Sequence, residues 1–219
     1  MIAENLMTEA ILPLRTSDTG DDALAIMGEN FVRHLPIVNN HQLLGLLSED
    51  DIFDNDASEP VGSYRLTLMH ARVRKDDHVY EVMRQMAEYQ LTVVPVVDLE
   101  GNYIGMITLE DVLRFFAESN PFRDPGGIIV LEVARQDYSM AEIARIVESE
   151  NALILSSFVQ AYPESSRIDV TLKINRQNIW PVLATFERFN YQVKASFGET
   201  DYYETLKERY DALMTYLKV

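Results

Sequence analysis

Two hydrophobic periods recur along this chain. In "RIDVTLKI" (167–174), Ile168, Val170, Leu172 and Ile174 alternate with polar neighbours, as a half-buried strand requires. "YQVKASF" (191–197) repeats the alternation through Tyr191, Val193, Ala195 and Phe197. The apolar runs "IIVLEVA" (128–134) and "ALILSSFVQ" (152–160) predict two further strands. Helical spacing separates them. "NIWPVLATFERF" (178–189) puts Ile179, Val182, Leu183 and Phe186 on one face, and "SMAEIARIVESE" (139–150) opens with Ser139 and Glu142 at capping-box spacing.

The order βαββαβ predicts a ferredoxin-like domain over residues 128–198. A last helix is expected over residues 199–219, with Tyr203, Leu206, Tyr210, Leu213 and Leu217 on a narrow apolar seam suited to a partner helix or a sheet face. "ESNPFRDPGG" (118–127) holds two Pro and two Gly and marks a linker over residues 119–127.

Ahead of the linker the pattern is written twice. "TSDTGDDALAIMGEN" (16–30) and "KDDHVYEVMRQMAEY" (75–89) are each a polar start followed by an amphipathic helix, with Ala23, Ile26 and Met27 inward in one and Val79, Val82, Met83 and Met86 in the other. Two short strands follow in each copy, Leu35–Val38 with Leu43–Leu47 and Val93–Val97 with Tyr103–Thr108. A helix then begins after Ser48 or Thr108. "HLPIV…GLLSEDDIF" thus matches "VVPVV…GMITLEDVL". A unit of about 60 residues buries too little surface to stand alone. Residues 1–60 and 61–118 are therefore expected to pack face to face with pseudo-twofold symmetry. The whole chain reads as an α+β protein.

Composition narrows the function. The net charge is −16, of which residues 1–120 carry −13 and residues 121–219 carry −3. A front half this acidic repels phosphate backbones, so nucleic acid is not an expected partner. No apolar run approaches the roughly 20 residues that cross a bilayer, so no membrane is expected. "MIAENLMTEA" has no Lys or Arg, so it lacks the basic start of a signal peptide, and the cytoplasm is the expected location. With no Cys, thiolate nucleophiles and Cys-ligated metals are excluded. The four His form no HExxH pair and no Ser lies in GxSxG, so an enzyme is not expected. The carboxylate-dense "SEDDIFDND" (48–56) lacks the glycine and closing glutamate of an EF-hand loop, and reads as a solvated acidic turn.

The candidate chemistry lies in the repeated Ser48–Asp51 and Thr108–Asp111 pairs. A hydroxyl residue three positions before an acid, ahead of an apolar helix, is a helix start signal. The same atoms also fit a ligand. Free N–H groups at a helix start suit phosphate, the hydroxyl donates to a phosphate oxygen, and the aspartate accepts from a vicinal diol. Gly45 and Gly105, in the preceding strands, admit another backbone or a ligand. Leu35 and Val94 are placed to sandwich a base, and Arg33 either reaches a phosphate or is equally a surface arginine. His34 reads more simply as a packed strand histidine, and Trp180 as core or interface.

These features resemble a pair of CBS (cystathionine β-synthase) domains, over about residues 1–118. The resemblance implies a regulatory Bateman module that binds adenosyl ligands (AMP, ADP, ATP or S-adenosylmethionine) in clefts between the copies. It implies that Ser48 and Thr108 contact phosphate and that Asp51 and Asp111 contact ribose. Residues around His34, Leu35 and Pro36, and around Val93, Val94 and Pro95, would line the base pockets. No other cofactor is implied. A homodimer is, and the alternative is a constitutive scaffold with non-functional pockets. Residues 125–200 more weakly resemble an ACT domain, a regulatory βαββαβ module that often binds amino acids at a dimer interface. The first strand–helix loop, "RQDYSM" (135–140), lacks that family's usual glycine. The order of domains resembles acetoin-utilisation-type CBS proteins, and no regulated enzyme is implied by name.

Overall fold

The computed structural model describes residues 1–8, 10–198 and 214. It divides into two compact units, Met1–Ala117 and Glu118–Val219. The helix expected over residues 199–219 lies, but for Met214, outside the described residues. Among the described residues no helix is long and apolar enough to cross a membrane.

In the first unit α1 spans Gly20–Asn30, β1 His34–Asn39, β2 Gln42–Ser48 and α2 Glu49–Phe53. The second copy follows as β3 (Val73–Arg74), α3 (Val79–Glu88), β4 (Val93–Val97), β5 (Tyr103–Thr108) and α4 (Leu109–Glu118). The copies correspond pair by pair. Leu14 bridges Ile37 in parallel, as Val73 pairs with Val96. Both hairpins shift register at the same place, between Ile37 and Val38 and between Val96 and Val97.

The two copies exchange segments. Thr8, near the start of the first copy, donates its N–H to Met106 O on β5 at 2.9 Å, and Leu46 on β2 donates to Leu68 O at 3.2 Å. The glycines allow this crossing. A Cβ on Gly45 would meet Leu66 Cδ1 at 2.7 Å, and one on Gly105 would meet Met7 Sδ at 3.0 Å. Chain, rather than ligand, makes the close approach there. The cores mix in the same way: Ala3, Leu6 and Leu46 pack with Val94 and Ile107, while Val93 and Met106 pack with Leu35, Leu47 and Ile52.

The second unit holds α5 (Asn120–Arg123), β6 (Gly127–Ala134), α6 (Met140–Ser149), β7 (Ile154–Ala161), β8 (Arg167–Ile174), α7 (Trp180–Arg188) and β9 (Gln192–Phe197). The strands run β7-β8-β6-β9 in one antiparallel sheet, the ferredoxin-like order. Ile129, Leu131, Val170, Leu172 and Ile174 meet Ile143, Val147, Val182 and Phe186 in one core. The linker reading of residues 119–127 needs correction, because the short helix α5 and the start of β6 fall within it. The Ser139 capping box is half made. Ser139 Oγ accepts the Glu142 N–H at 3.3 Å, but the Glu142 carboxylate takes the Tyr191 hydroxyl at 2.9 Å.

Candidate ligand site

Thr108 ends β5 and starts α4. Its hydroxyl donates to Asp111 Oδ2 at 2.6 Å, and its N–H donates to the same oxygen at 2.9 Å. In return the Asp111 N–H donates to Thr108 Oγ1 at 3.0 Å. Ser48 and Asp51 repeat the box with 2.7, 2.9 and 3.1 Å. Both pairs therefore cap helices, as the local spacing demands. They differ in setting: Asp51 is 4% exposed at the head of the five-residue α2, whereas Asp111 opens onto a cavity.

That cavity has a volume of about 410 Å³ and is walled by Thr8, Phe31, Thr92, Thr108, Asp111 and Arg114, among others. The size falls in the range of small-molecule sites. Its walls come from both copies, because the N-terminal segment crosses to β5. Arg114, the one cation among the described lining residues, pairs with Glu110 and reaches Asp111 Oδ1 at 3.5 Å.

Thr92 joins this cavity to the other repeat. Its carbonyl accepts the Leu109 N–H at 2.9 Å, while the Arg33 carbonyl accepts the Glu49 N–H at 3.0 Å. Thr92 Oγ1 accepts the Arg33 N–H at 2.8 Å and lies 3.0 Å from His34 Nδ1. The Thr92 N–H faces the same nitrogen at 3.2 Å. Burial pushes the His34 pKa below its ordinary value, helped by Arg33 and opposed by Asp50, Asp51 and Glu49.

The other residues singled out from sequence sit elsewhere. Leu35, Pro36, Val93, Val94 and Pro95 are buried in β1 and β4, which pack against each other, and His34 is 8% exposed. None of them lines this cavity. The Arg33 side chain is 62% exposed and its Nε meets Glu49 Oε2 at 3.1 Å. Sequence reading missed Thr8, Phe31 and Thr92. Their signal is weak, since they lie outside the repeated motif and gain meaning only when the copies cross. Among the described residues no cluster of three or more His, Asp or Glu is arranged to hold a metal ion.

Fold and site together define a two-repeat module with a ligand-sized cleft between the repeats. The family model of the CBS domain matches residues 3–58 and again residues 70–118, so the N-terminal half of the chain is a tandem pair of CBS domains. Among curated relatives, a homoserine O-acetyltransferase of Methanococcus vannielii is 29% identical over 117 residues, 51% of this chain and 24% of its own. An inosine-5'-monophosphate dehydrogenase of Korarchaeum cryptofilum is 23% identical over 184 residues, 83% of this chain and 38% of its own. The chain thus spans well under half the length of either relative. A solved CBS domain pair/ACT domain protein of Thermotoga maritima aligns with a TM-score of 0.48 at 22% identity, covering 54% of this chain and 98% of that one.

Proposed function

We propose that the CBS pair is a regulatory module that binds an adenosyl ligand, AMP, ADP, ATP or S-adenosylmethionine, in the cavity at the start of α4. The observation that carries this is the cavity of about 410 Å³ opening on the Thr108–Asp111 pair within a CBS pair. Adenosine ligands are common partners of such pairs. Thr108 Oγ1, turned from Asp111, and the Glu110 N–H in the first turn of α4 receive phosphate, and Asp111 accepts from the ribose diol. Ser48 and Asp51 form a second, weaker site. The module regulates rather than catalyses. Isothermal calorimetry and thermal shift with the four ligands test the reading, since a ligand that binds the native state raises its melting temperature. Silence from all four would support a constitutive scaffold, a reading favoured by one fact: both hydroxyl–carboxylate pairs are satisfied as helix caps without a ligand.

We further propose that the chain is a homodimer. An apolar groove of about 400 Å³ between α3 and α4, lined by Met83, Met86, Leu91, Leu109 and Val112, offers the CBS pair a face for a second copy. The ferredoxin-like unit serves in this proposal as an ACT-like dimerising domain.

A further inference from the structure

The corner after α1 is the same in both repeats. Phe31 has φ 53° and ψ 37°, and the Phe31 N–H and Val32 N–H both turn back to Met27 O. After α3, Gln90 also has φ 53°, and the Leu91 N–H turns back to Met86 O. The fold thus imposes a left-handed residue at each corner. Such a position favours Gly or Asn, because a Cβ crowds the following carbonyl. Here the first repeat carries phenylalanine. The residue is 94% exposed and belongs to none of the hydrophobic clusters among the described residues. The chain therefore bears backbone strain and leaves a large apolar side chain in water, and gains no packing from either.

Phe31 nevertheless lies on the wall of the Thr108–Asp111 cavity, with Asn30 and Val32 beside it. An exposed aromatic ring on a cavity wall is a platform for a flat heterocycle, which stacks on it whatever its hydrogen-bonding edge. Gln90, at the matching corner, has no such ring. We infer that Phe31 is the base-stacking wall of the Thr108 cavity, supplied by the first repeat to the site of the second. This inference rests on the reading of that cavity as an adenosyl site. It replaces Leu35 and Val94, both fully buried, as the residues that hold the base. It also makes the base, rather than phosphate alone, a requirement for tight binding.

Phe31→Asn removes the ring and suits the left-handed corner, so one substitution pulls two readouts in opposite directions. In the full chain it is expected to raise the ligand-free melting temperature by about 2–4 °C. It should also weaken AMP by roughly tenfold or more in calorimetry, and adenosine by the same factor, since the loss is at the base. Gln90→Asn should give the thermal gain without the loss of affinity. Unchanged AMP affinity in Phe31→Asn, while Thr108→Val abolishes binding, would overturn the inference and spare the site. A loss confined to AMP and absent for adenosine would also overturn it, because the ring would then act at the phosphate end. So would conversion of a dimer to a monomer with AMP binding intact, which would make Phe31 a subunit contact. A wild-type chain that binds neither AMP nor adenosine would sink the site reading and the inference together.

Discussion

At the scale of single residues, the two hydroxyl–carboxylate pairs have almost identical geometry and different neighbours. Glu49 and Asp50 precede Asp51, whereas Leu109 and Glu110 precede Asp111. At about 6–8 Å each added carboxylate costs an anionic ligand on the order of 0.5–2 kcal/mol. Arg33 offsets little of this, being held by Glu49 at the surface. AMP should therefore bind more tightly at Thr108–Asp111. Calorimetry should show Asp111→Ala abolishing the tighter event and Asp51→Ala sparing it; the reverse would invert the ranking. His34 gives a pH dependence. Its folded-state pKa lies below the usual 6.5, so the unfolded chain takes up the proton first as pH falls. The stabilisation is complete above about 6.5 and is lost as pH drops through the lower folded value. The variant His34→Asn keeps an acceptor near the Thr92 N–H and does not titrate. It should lose less melting temperature than the wild type between pH 7.5 and pH 5.5.

At the scale of elements, helix starts were legible because capping chemistry is local. Ser48 and Thr108 each exchange bonds with an aspartate three residues on, as their spacing indicates, and Thr19 does the same with Asp22 at a start read only as polar. Ser139 shows where local reading ends, because Tyr191, 49 positions beyond Glu142, takes that carboxylate. Thr19→Ala should accordingly cost about 1 kcal/mol in urea unfolding, and Ser139→Ala less, since only one of its two bonds exists. Equal costs would show that the reciprocal carboxylate contributes nothing. The strand boundaries were also legible, as β4, β5 and β8 span the expected residues and β8 buries Ile168, Val170, Leu172 and Ile174. The glycine pair at the start of β6 misled, because Gly126 and Gly127 report close packing there. A Cβ on Gly126 would lie 1.9 Å from Ile174 O.

At the scale of the whole molecule, the homodimer proposal makes a direct forecast. Sedimentation at micromolar concentration should give about twice the 25.1 kDa of one chain. Met83→Glu, which places a charge in the α3–α4 groove, should shift it toward the monomer; a wild-type monomer would contradict the proposal. By itself the sequence determined the duplication, the ferredoxin-like order of elements and the two hydroxyl–carboxylate pairs, because periodicity and capping depend on neighbours within a few residues. The tertiary structure alone decided which segments meet. The crossing of Thr8 onto β5 gives the second repeat's cavity a wall from the first, and Phe31 rather than Leu35 lines that cavity. Contacts between residues some 60 to 100 positions apart are fixed by how the two hydrophobic faces close on each other, and no local pattern records that.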